Sequence, residues 1–273
     1  LGTYSWVVVI ASLVLTFCVA AVIIGGVKRI ASVSQVVVPF MAVAYIIAAV
    51  LILILNYKAI PGAVVEIVQS AFGMRAVAGG ALGAMMLAMQ KGIARGIFSN
   101  EAGIGSAPIA AAAVQTTEPV RQGLVSMLGT VIDTIIICTM TGLSIVITGS
   151  WDKGLEGVAV TTRAFQVGLP FPGRVSAFIL MLCLVFFAFT TILGWDYYSE
   201  RCLDYLTGNN KKVVRTYRWI YIACVFIGPY MTVSAVWTIA DIVNGLMAIP
   251  NLIALLALNG VVVAETKKYF QKF

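Results

Sequence analysis

The stretch AGGALGAMMLAMQKGIARGIFSNEAGIGSAPIAAAAV, residues 78–114, decides how the chain is read. Ala78 to Met89 is apolar, Gln90 to Glu101 is a polar interval, and Ala102 to Val114 is apolar again. At 1.5 Å per residue neither apolar part crosses a hydrocarbon core of about 30 Å, whereas the two together do. The segment is expected to be one membrane helix broken inside its span, with the unwinding between Met89 and Ala102. Lipid cannot hydrogen-bond the peptide groups that a break releases, so such a break must face protein or a watery cavity. Gly92, Gly96, Gly103 and Gly105 supply backbone freedom, and Ser99 and Asn100 supply compact polar groups. The alternative is that Gly92 and Gly96, four apart, merely allow close helix packing, with the charges in a cytoplasmic turn.

The surrounding chain has the composition of a membrane protein. Of 273 residues 61% are hydrophobic and 11% charged, and mean hydropathy is +1.01. Ordinary soluble domains carry about a quarter charged residues. The expected fold is an all-α polytopic membrane protein with about seven transmembrane helices, one of them discontinuous. Spans are expected at about 5–27, 33–56, 78–114 (broken), 122–148, 175–200, 216–231 and 238–264, the last bent at Pro250 and all in a single transmembrane domain. A short amphipathic stretch, Ile60 to Met74, reads as interfacial, and Trp151 to Pro172 as a polar loop with short helices. Gly208-Asn209-Asn210 is a turn signal.

Charge sets the orientation. With Lys28 and Arg29 in the cytoplasm and sides alternating, Arg121, Arg201, Lys211, Lys212, Arg215, Arg218, Lys267, Lys268 and Lys272 also fall inside. Lys58, Arg75, Lys153, Arg163 and Arg174 fall outside. The carboxyl terminus is therefore expected in the cytoplasm. The net charge of +7 is explained by this topology; no aromatic platform accompanies the cations, and no nucleic-acid partner is expected. Five scattered cysteines show no metal or disulfide spacing, and there is no histidine, which excludes His-based triads and metal sites within this chain.

Several polar residues stand inside apolar runs. Lys91, Arg95 and Glu101 each cost about 2.5–3.5 kcal/mol at a helix centre unless paired or wet, and Arg95 with Glu101 is a candidate internal pair. Asp133, with Thr130, Thr134 and Thr141 near its helical face, reads either as a cation or proton residue or as a structural carboxylate bonded to a neighbouring helix end. Thr190 and Thr191, with a main-chain carbonyl, suit a small hard cation such as sodium; threonines also commonly bond back to their own helix.

The block Gly96-Ile97-Phe98-Ser99-Asn100-Glu101-Ala102-Gly103-Ile104-Gly105-Ser106-Ala107-Pro108-Ile109-Ala110 resembles the alanine or glycine:cation symporter family of bacteria and archaea. So do Pro119-Val120-Arg121-Gln122-Gly123, Ile132-Asp133-Thr134-Ile135 and Thr190-Thr191-Ile192-Leu193-Gly194-Trp195. The resemblance implies a partial leucine-transporter-type inverted-repeat fold, with the seven spans as core helices four to ten. It implies sodium-coupled symport of small neutral amino acids, alanine or glycine, across the inner (cytoplasmic) membrane by alternating access. It places amino-acid contacts at Gly96, Phe98, Ser99, Asn100 and Trp195, and sodium contacts at Thr190, Thr191 and the carbonyl of Phe187. Arg95, Glu101 and Asp133 become coupling or structural charges. Asp196 stands where a small residue is expected.

The implied partners are a small neutral amino acid, a sodium ion and the lipid bilayer, with no cofactor beyond co-transported sodium and no enzymatic role. The sequence opens on Leu1 without an initiator methionine, and the resemblance implies missing amino-terminal helices that activity would require. A channel or non-transporting membrane subunit is the alternative reading.

Overall fold

The computed structural model describes residues 6–72, 80–101 and 103–272. Ala78 and Arg75, which bear on the third span and on the charge count, lie outside the described residues, as do Ser5 and Ala102. Among the described residues every regular element is helical. The long ones contain the apolar runs: α1 (Trp6–Ile23), α2 (Val27–Leu55), the continuous stretch Pro119–Ile147, α9 (Gly173–Leu206) and α11 (Val233–Phe270) are each long and apolar enough to cross a membrane. The chain is an all-α, multi-pass membrane protein. The 17-residue α10 (Lys211–Ile227) and the pair α4 (Ala81–Ser99) and α5 (Ala107–Ala111) fall in the other two stretches read as spans. Shorter helices are α3 (Ile60–Ala71) and α8 (Val158–Gly168).

Helix ends differ from the apolar runs in instructive ways. The first helix stops at Ile23, because Gly26 takes a left-handed φ of +73°, and α2 restarts at Val27, so Lys28 and Arg29 lie in its first turn. Hydropathy marks lipid contact, whereas helices continue through charged residues: α9 runs on to Leu206 and α10 begins at Lys211. Asn209 (φ +64°) and Gly208 (φ +61°) make the turn between them, and the Asn210 side chain caps α10 by accepting from the Lys212 N–H at 3.1 Å. Pro250 sits inside α11, which continues through it.

The continuous stretch Pro119–Ile147 has three parts: α6 (Pro119–Thr130), wider π turns over Val131–Cys138, and α7 (Thr139–Ile147). Such turns leave carbonyls out of the ordinary ladder, and the Thr139 hydroxyl donates to the Thr134 carbonyl at 3.2 Å.

The chain divides into two units. Unit 1 holds 1–47 and 177–237, with a core of Val19, Val22, Ile23, Ile30 and Leu193 against which Phe189, Ile192, Tyr221 and Val225 pack. The Tyr221 hydroxyl donates to the Ile192 carbonyl at 2.8 Å, joining α10 to α9. Unit 2 holds 48–176 and 238–273. In it α7 packs against α3 and α8, burying Ile52, Ala63, Met140 and Phe165. Gly168 is required by close approach: a Cβ there would lie 2.7 Å from the Ile52 side chain.

Candidate binding site at the helix break

The sequence places the unwinding between Met89 and Ala102; the structure has it begin only at Asn100, at the end of that interval, and run on past it. Residues from Ala81 to Ser99 form one helix, and Gly92 and Gly96 are helical within it. Gln, Lys and Arg are good helix formers, so the polar interval from Gln90 is no obstacle to the ladder. The break comes later. Asn100 closes α4 by donating its N–H to the Gly96 carbonyl at 3.1 Å, and the Glu101 N–H reaches the Phe98 carbonyl at 3.4 Å. Then Glu101 (φ +52°), Gly103 (φ +78°) and Gly105 (φ +82°) turn the chain through left-handed conformations. This region is natural for glycine and uncommon for glutamate. Among the described residues, backbone-to-backbone bonding stops at the Glu101 N–H and resumes at the Ile109 N–H, which meets the Ser106 carbonyl at 2.9 Å.

Unit 2 holds this loop on two sides. The Ser99 hydroxyl donates to the Asp133 carboxylate in a short hydrogen bond. Asn100 and Thr134 face each other, with Nδ2 to Oγ1 at 2.7 Å and Oγ1 to Oδ1 at 2.9 Å. The π turns thus present two consecutive polar side chains to the two last residues of α4. From α11, Asn251 packs so closely that a Cβ on Gly105 would lie 3.1 Å from its Oδ1. Ile104 and Ser106 are buried, and Ser106 donates to Glu101 Oε2 at 2.8 Å.

For the candidate pair of Arg95 with Glu101, the structure shows each charge bonded to another group. Arg95 Nη2 donates to both oxygens of Asp241 on α11, at 3.0 and 2.8 Å, while Glu101 accepts from Ser106. Both charges therefore have partners other than each other. A cavity of about 270 Å³ adjoins this ion pair, lined by Gln90, Lys91 and Ile97 of α4 and by Asp241, Asn244 and Ala248 of α11. Asp241 and Asn251 were not singled out in the sequence; a lone acid in an apolar run and an amide directly after Pro250 were their only signals.

The other candidate residues lie on α9, in unit 1. The Thr190 hydroxyl donates back to its own helix, to the Phe186 carbonyl at 2.9 Å and the Phe187 carbonyl at 3.2 Å. The structure thus brings Thr190 to the Phe187 carbonyl, while Thr191 is exposed. Phe187 stacks edge-on against Tyr45 at 6.0 Å, and Trp195 meets Tyr198 at 5.7 Å. Gly96 and Phe98 contribute their carbonyls to closing α4, as above.

Outside the apolar spans, Lys272 donates to Glu118 Oε1 at 2.6 Å. That hydrogen bond holds the Glu118 carboxyl below its ordinary value and the Lys272 ammonium above its own.

Residues 2–273 match the family described as the sodium:alanine symporter family. The chain belongs to that family. An uncharacterized transporter of Haemophilus influenzae is 53% identical over 99% of this chain and 59% of its own length. A sodium/alanine symporter of Methanococcus maripaludis is 47% identical over 95% of this chain and 56% of its own. A probable sodium/glutamine symporter of Bacillus subtilis is 39% identical, covering 94% and 52%. This symporter-family chain therefore spans somewhat more than half the length of the curated relatives it matches. The family is one of transporters, in keeping with the several apolar helices.

Proposed function

We propose that this chain supplies part of a sodium-coupled symporter that moves a small neutral amino acid, alanine or glycine, across the cytoplasmic membrane by alternating access. The carboxyl terminus lies in the cytoplasm, the chain catalyses no reaction, and no cofactor is needed beyond the co-transported ion. The observation that carries this reading is the loop after Ser99, where left-handed residues interrupt a helix and free peptide groups. Peptide N–H groups so released attract a carboxylate, and carbonyls attract a cation.

In this reading Gly96, Phe98, Ser99 and Asn100 contact the amino acid, and Trp195 forms an aromatic wall. Thr190, Thr191 and the Phe187 carbonyl hold sodium. Ser99 and Asn100 are engaged by Asp133 and Thr134, so these two partners fix where the binding groups point. Arg95 and Glu101 act structurally, each already held. Coupling demands that ion and amino acid bind one access state better than the other, because a ligand binding both equally shifts nothing.

The test is radiolabelled alanine uptake by the complete gene product in proteoliposomes. An inward sodium gradient should drive accumulation. Uptake of equal rate and extent with choline replacing sodium would overturn the coupling.

A further inference from the structure

The seam between α9 and α10 in unit 1 contains a carboxylate that the symport reading does not use. Asp196 is fully buried, and among the described residues neither side-chain oxygen has a hydrogen-bond partner. One turn further along α9, Glu200 is also buried, but it is answered: Arg218 of α10 donates Nε to Oε1 at 2.6 Å and Nη2 to Oε2 at 2.9 Å. Arg218 is thus hydrogen-bonded to Glu200 through Nε and Nη2, while its charge also reaches Asp196. From α10 the other groups within electrostatic reach of Asp196 are the phenols of Tyr217 and Tyr221. The Tyr221 hydroxyl donates to the Ile192 carbonyl, one turn before Asp196. The core of this unit, to which α1 gives Val19, Val22 and Ile23 and α9 gives Leu193, is apolar.

A carboxylate removed from water without a counter-charge is strongly disfavoured, by several kcal/mol even after relaxation. Two acids one helical turn apart with one arginine between them leave one acid unanswered. We propose that Asp196 anchors a cation site in this seam, filled by a monovalent cation, a proton or a sodium ion, that does for Asp196 what Arg218 does for Glu200. The ligand's chemistry is set by the site: a single positive charge, with the unpartnered Asp196 oxygens as ligands. Bound as a proton, it comes from bulk water and turns the carboxylate into a carboxylic acid; bound as sodium, the carboxylate stays ionised.

The inference goes beyond the symport reading, and its test needs no transport. The complete gene product in nanodiscs is compared with Asp196→Asn by infrared difference spectroscopy, first across a pH change at fixed sodium, then on exchanging sodium for choline at fixed pH. A carboxylic-acid C=O band that changes with pH and is missing from the variant identifies a proton. A carboxylate stretch that moves on sodium exchange and is unmoved in the variant identifies sodium. Either supports the proposal. Spectra of wild type and variant that respond identically to both exchanges overturn it. Asp196→Ser serves where the first variant does not purify as a single species, and a melting temperature that rises with the cation in wild type but not in the variant gives an independent readout. Sodium-independent uptake would sink the symport proposal and leave this one standing.

Discussion

The break after α4 and the threonine stretch of α9 present polar groups inside apolar surroundings by opposite means. At the break the backbone leaves the helix, and the polar side chains on its shoulder are spoken for by Asp133 and Thr134. On α9 the backbone stays helical from Gly173 to Leu206, and Thr190 turns its hydroxyl back onto the ladder. The first arrangement depends on backbone conformation and on partners far away in sequence; the second depends on neither. Substitutions should therefore cost much at the break and little on α9, unless a ligand is present.

The largest effect is expected from Gly105→Ala. A left-handed φ costs a residue with a Cβ about 1–2 kcal/mol, and here that Cβ also meets Asn251 at 3.1 Å. Sodium-driven uptake should fall to background in a variant that still reaches the membrane; near-normal uptake would show that the loop's shape is not what binding needs.

Next comes a matched pair. Asp133→Asn removes the charge from the acceptor of Ser99, and hydrogen bonds to charged groups are worth about 1.5–3 kcal/mol. Half-saturation by alanine should rise about tenfold to a hundredfold, with maximal uptake less affected. Thr190→Val removes a bond whose loss leaves only helix carbonyls already in the ladder. Its melting temperature should hardly move, while the sodium concentration for half-maximal uptake rises about tenfold, a change of about 1.4 kcal/mol. An unchanged sodium dependence removes Thr190 from the ion site.

The smallest effect concerns the exposed tie between Glu118 and Lys272. Because Glu118 is held below its ordinary value, its contribution is present above the ordinary carboxylate range and disappears as pH falls through the lowered value. Lys272 is held above its own, so its contribution is present below the ordinary lysine range and goes as pH rises through the raised value. Glu118→Gln should flatten the acid limb of the melting temperature against pH slightly and leave neutral uptake unchanged.

How much of this could be read in advance follows from the same contrast. Charge-free runs marked the long helices, because the energetics of burial in lipid are written in composition. The short halves around Gln90 marked an interrupted helix, yet not the place of the interruption: polarity and helix breaking are different properties, and Lys91 and Arg95 have the first without the second. The positive φ angles fell on Gly103 and Gly105, already in view as glycines, and on Glu101, which nothing local foretold. The π turns around Asp133 lie in a run of Val, Ile and Thr with no compositional mark. Partners such as Asp241 for Arg95 and Asn251 for Gly105 are set by tertiary packing across 146 residues in each case, beyond the reach of any periodicity.

The proline inside α11 acquires a mechanical meaning from its neighbour. Pro250 has no N–H, so the Leu246 carbonyl loses its rung in the ladder, and the rod is weakest one residue from where Asn251 leans on Gly105. A shift of the loop would press on α11 beside that missing rung, and the helix beyond it runs on to Phe270.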